Sequence, residues 1–478
     1  MSLLKGSFLV TVVLLYMTTE YFKGKKITVM RIGLLGRGIG DTAYLAESGA
    51  EVTVVDAASE EVMRPAVEAL KQYETITWKF GPYDFADFEN ADIVLVGAGT
   101  SLDEPVLQQC RDKNIRLTQS AVLFAEISKV PIIGVTGTRG KSTVTHLIHH
   151  VLTQVTGEEV LLGGNIRGVS NLQLLKQVNK DSLCVMELDS WQLQAWGWAE
   201  RSPEIAVFTN FMPDHLNYYQ QSGMSVDEAM RTYFADKANI FFYQDESGTL
   251  VTTPEVLEQA KVYSGGLGIT LGQEIVLVDD SLIPQDSLLA LPGKHNRLNT
   301  ALATEALKAL SLTEEEIFTA MSSFKGVEGR LQYCGAVQNV AVYNDNNATT
   351  PTATLAGITA LKESGVESLV LILGGADKML PPALLVQTMK MECDHIVLLP
   401  GTGTEVLKQE MIESNYPEDF YTEVENIEQA LLTALKKTDS GGVVLFSPGY
   451  ASFGLFKNEY ERNDAFMKVF YSLQDKEV

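Results

Sequence analysis

Residues 130–155 read VPIIGVTGTRGKSTVTHLIHHVLTQV. An apolar run runs into a glycine-bounded loop, and the loop runs into a segment with helical spacing of its apolar residues. Strand, glycine loop and helix in that order are what a phosphate-binding loop requires. Glycines let backbone N–H groups approach phosphate oxygens, the helix N-terminus contributes partial positive charge, and Lys141 contributes a full one. Gly137, Thr138, Gly140, Lys141, Ser142 and Thr143 are therefore the candidate nucleotide-binding residues, with a hydroxyl of Ser142 or Thr143 available to Mg²⁺. Val135 stands where the longer G-x-x-x-x-G-K-[ST] pattern has its first glycine, so the match is to the shorter G-x-x-G-K-[ST] form.

Working outward, the same α/β rhythm recurs on both sides. Upstream, the apolar run ITVMRIGLL from Ile27 is followed by Gly36, Gly38 and Gly40 and a helix-like TAYLAESG. The strand EVTVVD ends at Asp56, and ADIVLVGAG (91–99) follows as a third strand. Downstream, SLCVMEL (182–188) and EIAVFTN (204–210) read as strands. Tyr263 to Leu291 read as short strands with Gly and Asp turns, and LNTALATEALKAL (298–310) as an amphipathic helix. Beyond Gly326–Gly329, four strands each end in a turn-forming loop: VAVYNDNNAT, SLVLILGGADK, HIVLLPGTG and GVVLFSPGYAS. Helices between them imply a parallel sheet. The expectation is an α/β protein of three domains: a Rossmann-like N-terminal domain (27–119), a central P-loop ATPase domain with a mostly parallel sheet (120–326) and a Rossmann-like C-terminal domain (327–478). Residues 1–26 form an N-terminal extension, and 478 residues are too many for one core.

Bulk properties exclude several classes. With 37 Lys+Arg against 61 Asp+Glu, the formal charge is −24, which disfavours nucleic acid and anionic membranes as partners. Cys110, Cys184, Cys334 and Cys393 are scattered without a CxxC pair, as expected of reduced thiols in a cytoplasmic protein. The apolar run from Phe8 to Met17 is too short to span a bilayer, and no A-x-A-like cleavage site follows it. Met17 is the expected native start. A dinucleotide-dependent reductase is disfavoured because the first block has no clear G-x-G-x-x-G.

Four further segments narrow the chemistry. MELDSWQL (186–193) puts Glu187 at a strand end, NFMPDHLNYY (210–219) puts Asp214 and His215 after another, YFADKANIFF (233–242) carries Lys237, and LPGKHNRLNTALA (291–303) carries His295, Asn296 and Asn299. Each alone reads as a solvated or structural residue. Together, in this order after GTRGKST, they resemble the central domain of the Mur ligase family, and the resemblance extends from about Ile27 to Phe466.

The resemblance implies roles. Lys141 and Thr143 would hold ATP phosphates. Ser142 and Glu187 would hold one Mg²⁺, and His215 would lie by a second. Lys237 matches the family lysine that CO₂ carbamylates, while Asn299, Arg330 and Asp345 match nucleotide contacts. It implies ATP-dependent amide formation through an acyl phosphate. The N-terminal block resembles that of the family's L-alanine and D-glutamate ligases. The implied substrates are UDP-N-acetylmuramoyl-L-alanine, met by Leu34, Leu35, Asp56, Asn165 and His215, and D-glutamate, met by Thr349, Lys378 and Ser452. The last three lie in NDNNATT, GGADK and SPGYASFGLFKN. The chain departs from the family at Arg31 (usually glycine), Gly329 (histidine), Asn347 (lysine) and Glu459 (phenylalanine), with Arg462 or Lys457 as candidate replacement cations. A monomer is expected. The alternatives are a ligase for another amino acid and a nucleotide-binding homologue without activity.

Overall fold

The computed structural model describes residues 20–34, 36–101, 104–157, 159–220, 224–263, 272–282 and 293–474. Residues 1–19 of the expected 1–26 extension, and Leu35, lie outside them; the rest of that extension packs onto the first unit, with Phe22 fully buried in its core and Lys26 opening the first strand. Three sheets carry the chain. The first contains β1 (Lys26–Met30), β2 (Glu51–Asp56), β3 (Thr77–Phe80), β4 (Ile93–Val96) and β5 (Arg116–Thr118), ordered β3-β2-β1-β4-β5 and parallel throughout. The second contains β6 (Ile132–Thr136), β7 (Leu161–Gly164), β8 (Cys184–Glu187), β9 (Ile205–Phe208), β10 (Thr249–Thr252) and β11 (Glu274–Leu277), ordered β11-β10-β9-β6-β8-β7 and also parallel.

The third sheet contains β12 (Gln332–Val337), β13 (Val340–Asn344), β14 (Leu369–Leu373), β15 (His395–Leu398), β16 (Tyr421–Glu423) and β17 (Val443–Phe446), ordered β12-β13-β17-β14-β15-β16. Here the parallel expectation needs a correction: β12 and β13 pair antiparallel. Gln338 and Asn339, the two residues between them, both have left-handed φ (49° and 61°), the backbone that a tight two-residue hairpin demands. Asn339 favours such a turn, but Gln338 does not and no glycine accompanies it, so the hairpin is nearly silent in the sequence. In the described part of Tyr263–Leu291, one strand forms (β11), followed by a short 3₁₀ turn at Asp280–Leu282.

Burial follows strand position. β6, β8, β9 and β14 are buried at every residue, whereas the edge strands β3 and β11 are not. Parallel strands covered on both faces by helices need continuous Val/Ile/Leu runs, which is why the central strands show no alternation. The chain falls into two compact units, Met1–Leu282 with Asn299–Ala320, and Ile283–Leu298 with Met321–Val478. Within the first unit both sheets share one apolar core. It runs from Ile27, Val29 and Val54 through Phe124 and Leu161 to Met186, Phe208 and Phe241.

Polar ties join the two sheets of this unit. Asp41, on α1 (Arg37–Glu47), accepts from the Ser170 hydroxyl at 2.6 Å and the Leu172 amide at 2.9 Å. Gly40 lies so close that an added Cβ would sit 2.6 Å from the Ser170 side chain. On the other side, the Tyr218 hydroxyl donates to the Thr100 carbonyl at 3.1 Å.

Phe208 is fully buried beneath the phosphate loop and stacks on Phe234 with ring centroids 5.7 Å apart. Phe208→Ala should therefore lower unfolding free energy by about 3–5 kcal/mol, read as a reduced urea midpoint with unchanged slope.

Candidate functional site

Why the loop after β6 has its shape follows from its two glycines. Gly137 has φ 142°, and a Cβ there would lie 1.9 Å from the Thr209 hydroxyl; Gly140 has φ 83°, and a Cβ there would lie 2.3 Å from the Asn299 side-chain oxygen. Gly140 leads into α2 (Lys141–Thr156), whose first turn buries Ser142 and Thr143. The loop is pinned to the segment after β9. The Thr138 amide donates to the Asn210 carbonyl at 2.9 Å, the Arg139 amide to the Asn210 side chain at 2.8 Å, and the Met212 amide to the Thr138 hydroxyl at 3.0 Å.

Two amines meet at one backbone oxygen. Lys141 Nζ donates to the Gly137 carbonyl at 3.0 Å, and Lys237 Nζ, from α3 (Val226–Ala238), donates to the same carbonyl at 2.9 Å. Lys237 is 2% exposed. Burial first, and the Lys141 charge second, hold its ammonium well below the usual lysine range. The opposing negative groups are Asp189, Asp214 and Glu187. Glu187 ends β8 directly beside β6, in register with Val135, and is 4% exposed.

His215 sits at the start of the short helix Leu216–Tyr219 in left-handed backbone, φ 53°. Its ring lies 4.7 Å from that of Trp191. Burial, aided by the charges of Lys237 and Lys141, pulls the imidazole below its ordinary value despite Asp214, so a neutral ring nitrogen is available as a ligand. Asn165 bonds Glu187 twice, backbone to backbone at 2.7 Å and side chain to carboxylate at 3.2 Å, and its own side-chain oxygen accepts from Arg37. Lys141, Glu187, His215, Lys237 and Asn165 thus surround one loop, and Asn299 touches it at Gly140.

Among the described residues no three His, Cys, Asp or Glu side chains gather as a self-sufficient metal cage. The set still suits Mg²⁺, which takes one or two carboxylates and completes its shell with phosphate and water oxygens. Glu187 would supply the carboxylate, Ser142 a hydroxyl, and a carbamate on Lys237 anionic oxygens.

Of the residues expected to meet the acceptor, Leu34 lines a crevice at the carboxyl ends of β1 and β4. Asp56 ends β2, is buried, and accepts from the Ala58 amide at 3.0 Å. In the second unit, Lys378 Nζ donates to the Thr349 hydroxyl at 2.9 Å, and Ser452 is buried in the loop that the Ala376–Ala451 bridge ties to the 376–378 segment. Arg330 is exposed, and the Leu331 amide beside it donates to Asp345 at 3.0 Å, as does the Ser447 hydroxyl at 2.8 Å.

Arg462 is not a spare cation. It is 1% exposed, and its guanidinium donates to the Asn346 side chain, the Asn346 carbonyl and the Tyr450 carbonyl. It locks the two loops that carry Thr349 and Ser452, while Lys378 supplies the charge beside them.

Several residues escaped the sequence reading. Thr209 and Asn210 shape the phosphate loop, and their only signal is their position after β9. Asp236 accepts from Gln194 at 2.7 Å and Tyr219 at 2.9 Å next to Lys237, and burial pushes its carboxyl up to about 6.

A parallel sheet that delivers a strand–glycine loop–helix unit with an invading lysine defines a phosphate-loop nucleotide-binding protein. Two family models match this chain, the Mur ligase middle domain over residues 135–265 and the Mur ligase glutamate ligase domain over residues 329–449. The UDP-N-acetylmuramoylalanine--D-glutamate ligase of Roseiflexus sp. (strain RS-1) is 30% identical over 472 residues, covering 93% of this chain and 98% of that protein. The ligase of the same name from Acetivibrio thermocellus is 30% identical over 94% of this chain and 98% of its own length. The chain belongs to the Mur ligase family, whose members are ATP-dependent amide-bond ligases. In fold it is similar to the UDP-N-acetylmuramate-alanine ligase of Thermotoga maritima, with a TM-score of 0.55 at 18% identity over 94% of this chain and 99% of that one. No helix among the described residues is long and apolar enough to cross a membrane.

Asp345 offers a pH test. Burial pushes its carboxyl up to about 7, against the bonds from Ser447 and Leu331. The folded protein therefore keeps a proton that the unfolded chain releases near its ordinary value of 3.8. Stability from this group is present below the unfolded value and is lost as pH rises toward 7. Thermal unfolding midpoints of Asp345→Asn should fall less than wild type between pH 4.5 and 7; parallel curves would refute the assignment.

Proposed function

We propose that this enzyme ligates D-glutamate to UDP-N-acetylmuramoyl-L-alanine, with hydrolysis of ATP to ADP and phosphate. The observation that carries the reading is the convergence of Lys141 and Lys237 on the Gly137 carbonyl, with Glu187 and His215 beside the same loop. The names of the relatives from Roseiflexus and Acetivibrio supply the substrates. Lys378, Thr349 and Ser452 suit a dicarboxylate amino acid, with an ammonium and two hydroxyls for its oxygens. Residues 27–119 are proposed to receive the UDP substrate, 120–326 ATP, and 327–478 the amino acid, in a cytoplasmic monomer.

A carboxylate resists attack by an amine because its leaving group would be oxide. Transfer of the γ-phosphoryl group to the acceptor's carboxylate gives an acyl phosphate and ADP. The amino acid's amine then attacks the carbonyl carbon, phosphate departs, and the nitrogen loses a proton. Gly137 and Gly140 would present backbone N–H groups to the phosphates, Thr138 would fix the loop beside them through its amide bond to Asn210, and Lys141 would neutralise charge that builds there. By the family resemblance Thr143, Asn299, Arg330 and Asp345 would contribute further nucleotide contacts. Leu34, Leu35, Asp56 and Asn165 hold the acceptor, and His215 orients its reacting end.

Bound Mg²⁺, two ions in this reading, would screen the phosphate charges and polarise the phosphoryl group. Ser142, Glu187, His215 and Lys237 would hold it. Carbamylation of Lys237 requires a neutral amine, and burial beside Lys141 favours that form. The product is an anionic oxygen donor.

Phosphate release with ATP, Mg²⁺ and UDP-N-acetylmuramoyl-L-alanine should depend on D-glutamate within a panel of D- and L-amino acids. Release driven instead by L-alanine on the unextended UDP-N-acetylmuramate would assign the chain to another ligase of the family. Lys141→Ala should lower kcat by about a hundred- to a thousandfold, by analogy with the loss of a principal charge-stabilising donor. Lys237→Ala should lose most activity and regain part of it with millimolar formate or acetate, whereas an alanine variant as active as wild type would dismiss the carbamate.

A further inference from the structure

The crevice at the carboxyl ends of β1 and β4 has a volume of about 300 Å³. It lies where the strand order of the first sheet reverses, since β1 leads to β2 on one side and neighbours β4 on the other. Open α/β sheets bind ligands at such switch points. α1 begins at its edge, and two arginines line it, Arg31 and Arg37. Arg31 adopts left-handed backbone, φ 59°, and its guanidinium bonds the Gly99 carbonyl on the loop after β4. Asp41 is the acid in the lining, and its carboxylate is engaged by Ser170 and Leu172. In a chain of net charge −24, the crevice is locally suited to an anion.

Its inner wall carries a second, independent signal. Gln119 lines the crevice immediately before the helix Ser120–Ser128 and is 5% exposed. Its side chain does not cap that helix, and its buried amide oxygen has no hydrogen-bond partner among the described residues. The other amides of the wall are engaged within the protein. Asn171 bonds the Gly164 amide and the Ser120 hydroxyl, and the Gln192 oxygen accepts from the Asp189 amide. A buried acceptor left without a donor is unfavourable and uncommon, and the residue that carries this one lines a cavity wide enough for a ligand group.

We propose that Gln119 is a specificity-determining residue for the acceptor substrate: its side-chain oxygen accepts a hydrogen bond from a hydroxyl or amide N–H of the ribose or the muramoyl sugar, the two groups that flank the diphosphate. Arg31 and Arg37 face the diphosphate itself. The assignment rests on the reading of this crevice as the UDP-substrate site. No aspect of the ligation chemistry calls for Gln119, so its effect belongs to binding.

The test compares Gln119→Leu with wild type, with Gln119→Met as the alternative should the leucine variant not fold. The KM for UDP-N-acetylmuramoyl-L-alanine should rise about five- to tenfold, as for loss of one hydrogen bond, with kcat and the KM for ATP little changed. Thermal stability without ligand should be unchanged or higher, because an unpaired buried oxygen is removed; a purely structural role would lower it. Calorimetry with UDP and with UDP-N-acetylmuramoyl-L-alanine then locates the donor. Weakened binding of both assigns it to the ribose, and weakened binding of the second alone assigns it to the sugar. Unchanged affinity for both, alongside normal wild-type binding, overturns the role of Gln119. Failure of the wild-type protein to bind either compound removes the crevice assignment and this proposal with it.

Discussion

The Gly137 carbonyl is the pivot of the first unit. One backbone oxygen receives the ammonium groups of Lys141 and Lys237, from helices nearly a hundred residues apart in sequence. Two like charges held this close repel, and the low dielectric of a buried site enlarges the penalty. The arrangement is tolerated because Glu187, Asp189 and Asp214 lie within electrostatic reach and because Lys237 gives up its proton readily. The phosphate loop therefore keeps the Lys141 charge beside a Lys237 amine that sheds its proton easily. Gly137 and Gly140 are required by the same geometry, since a side chain at either position would collide with Thr209 or Asn299.

The second unit solves a different problem. The loops that carry Thr349, Lys378 and Ser452 leave the carboxyl ends of β13, β14 and β17, and three neighbouring strand ends must be kept in fixed relation. The buried Arg462 ties the ends of β13 and β17 with three hydrogen bonds to Asn346 and Tyr450, and the Ala376–Ala451 bridge adds the end of β14. Arginine is suited to the task because its planar fork donates in several directions at once. Asn344 and Asn463 extend the network to Glu328. The polar residues of NDNNATT thus serve partly as scaffolding, and Lys378 is the cation left facing Thr349.

Most of the architecture was legible because parallel sheets write themselves as apolar runs followed by glycine. VPIIGVTG, SLCVMEL, EIAVFTN and SLVLILGG all became buried central strands. The antiparallel β12–β13 hairpin was not legible, because Gln338 and Asn339 adopt left-handed backbone without the Asn-Gly signature that usually announces it. Within the site, charged residues at strand ends were readable from order and context. Of the two candidate replacement cations, Arg462 and Lys457, the first proves buried in the scaffold, since burial of an arginine is decided by tertiary partners that no local pattern encodes. Gln119, Thr209 and Asn210 were invisible for the same reason: an amide or hydroxyl at a strand exit looks like any turn until the opposite wall is known.

The apolar interior shared by the first two sheets bears on how this chain can be divided. A cut between Gln119 and Ser120 would follow the boundary of the β–α rhythm but would split one hydrophobic mass. It would also strand Asp41 without Ser170 and Leu172, and Thr100 without Tyr218. Each fragment would present a greasy wound to solvent and adhere to whatever it met. Module exchange at this seam has to carry α1 together with the segment around residues 165–172, as a matched pair.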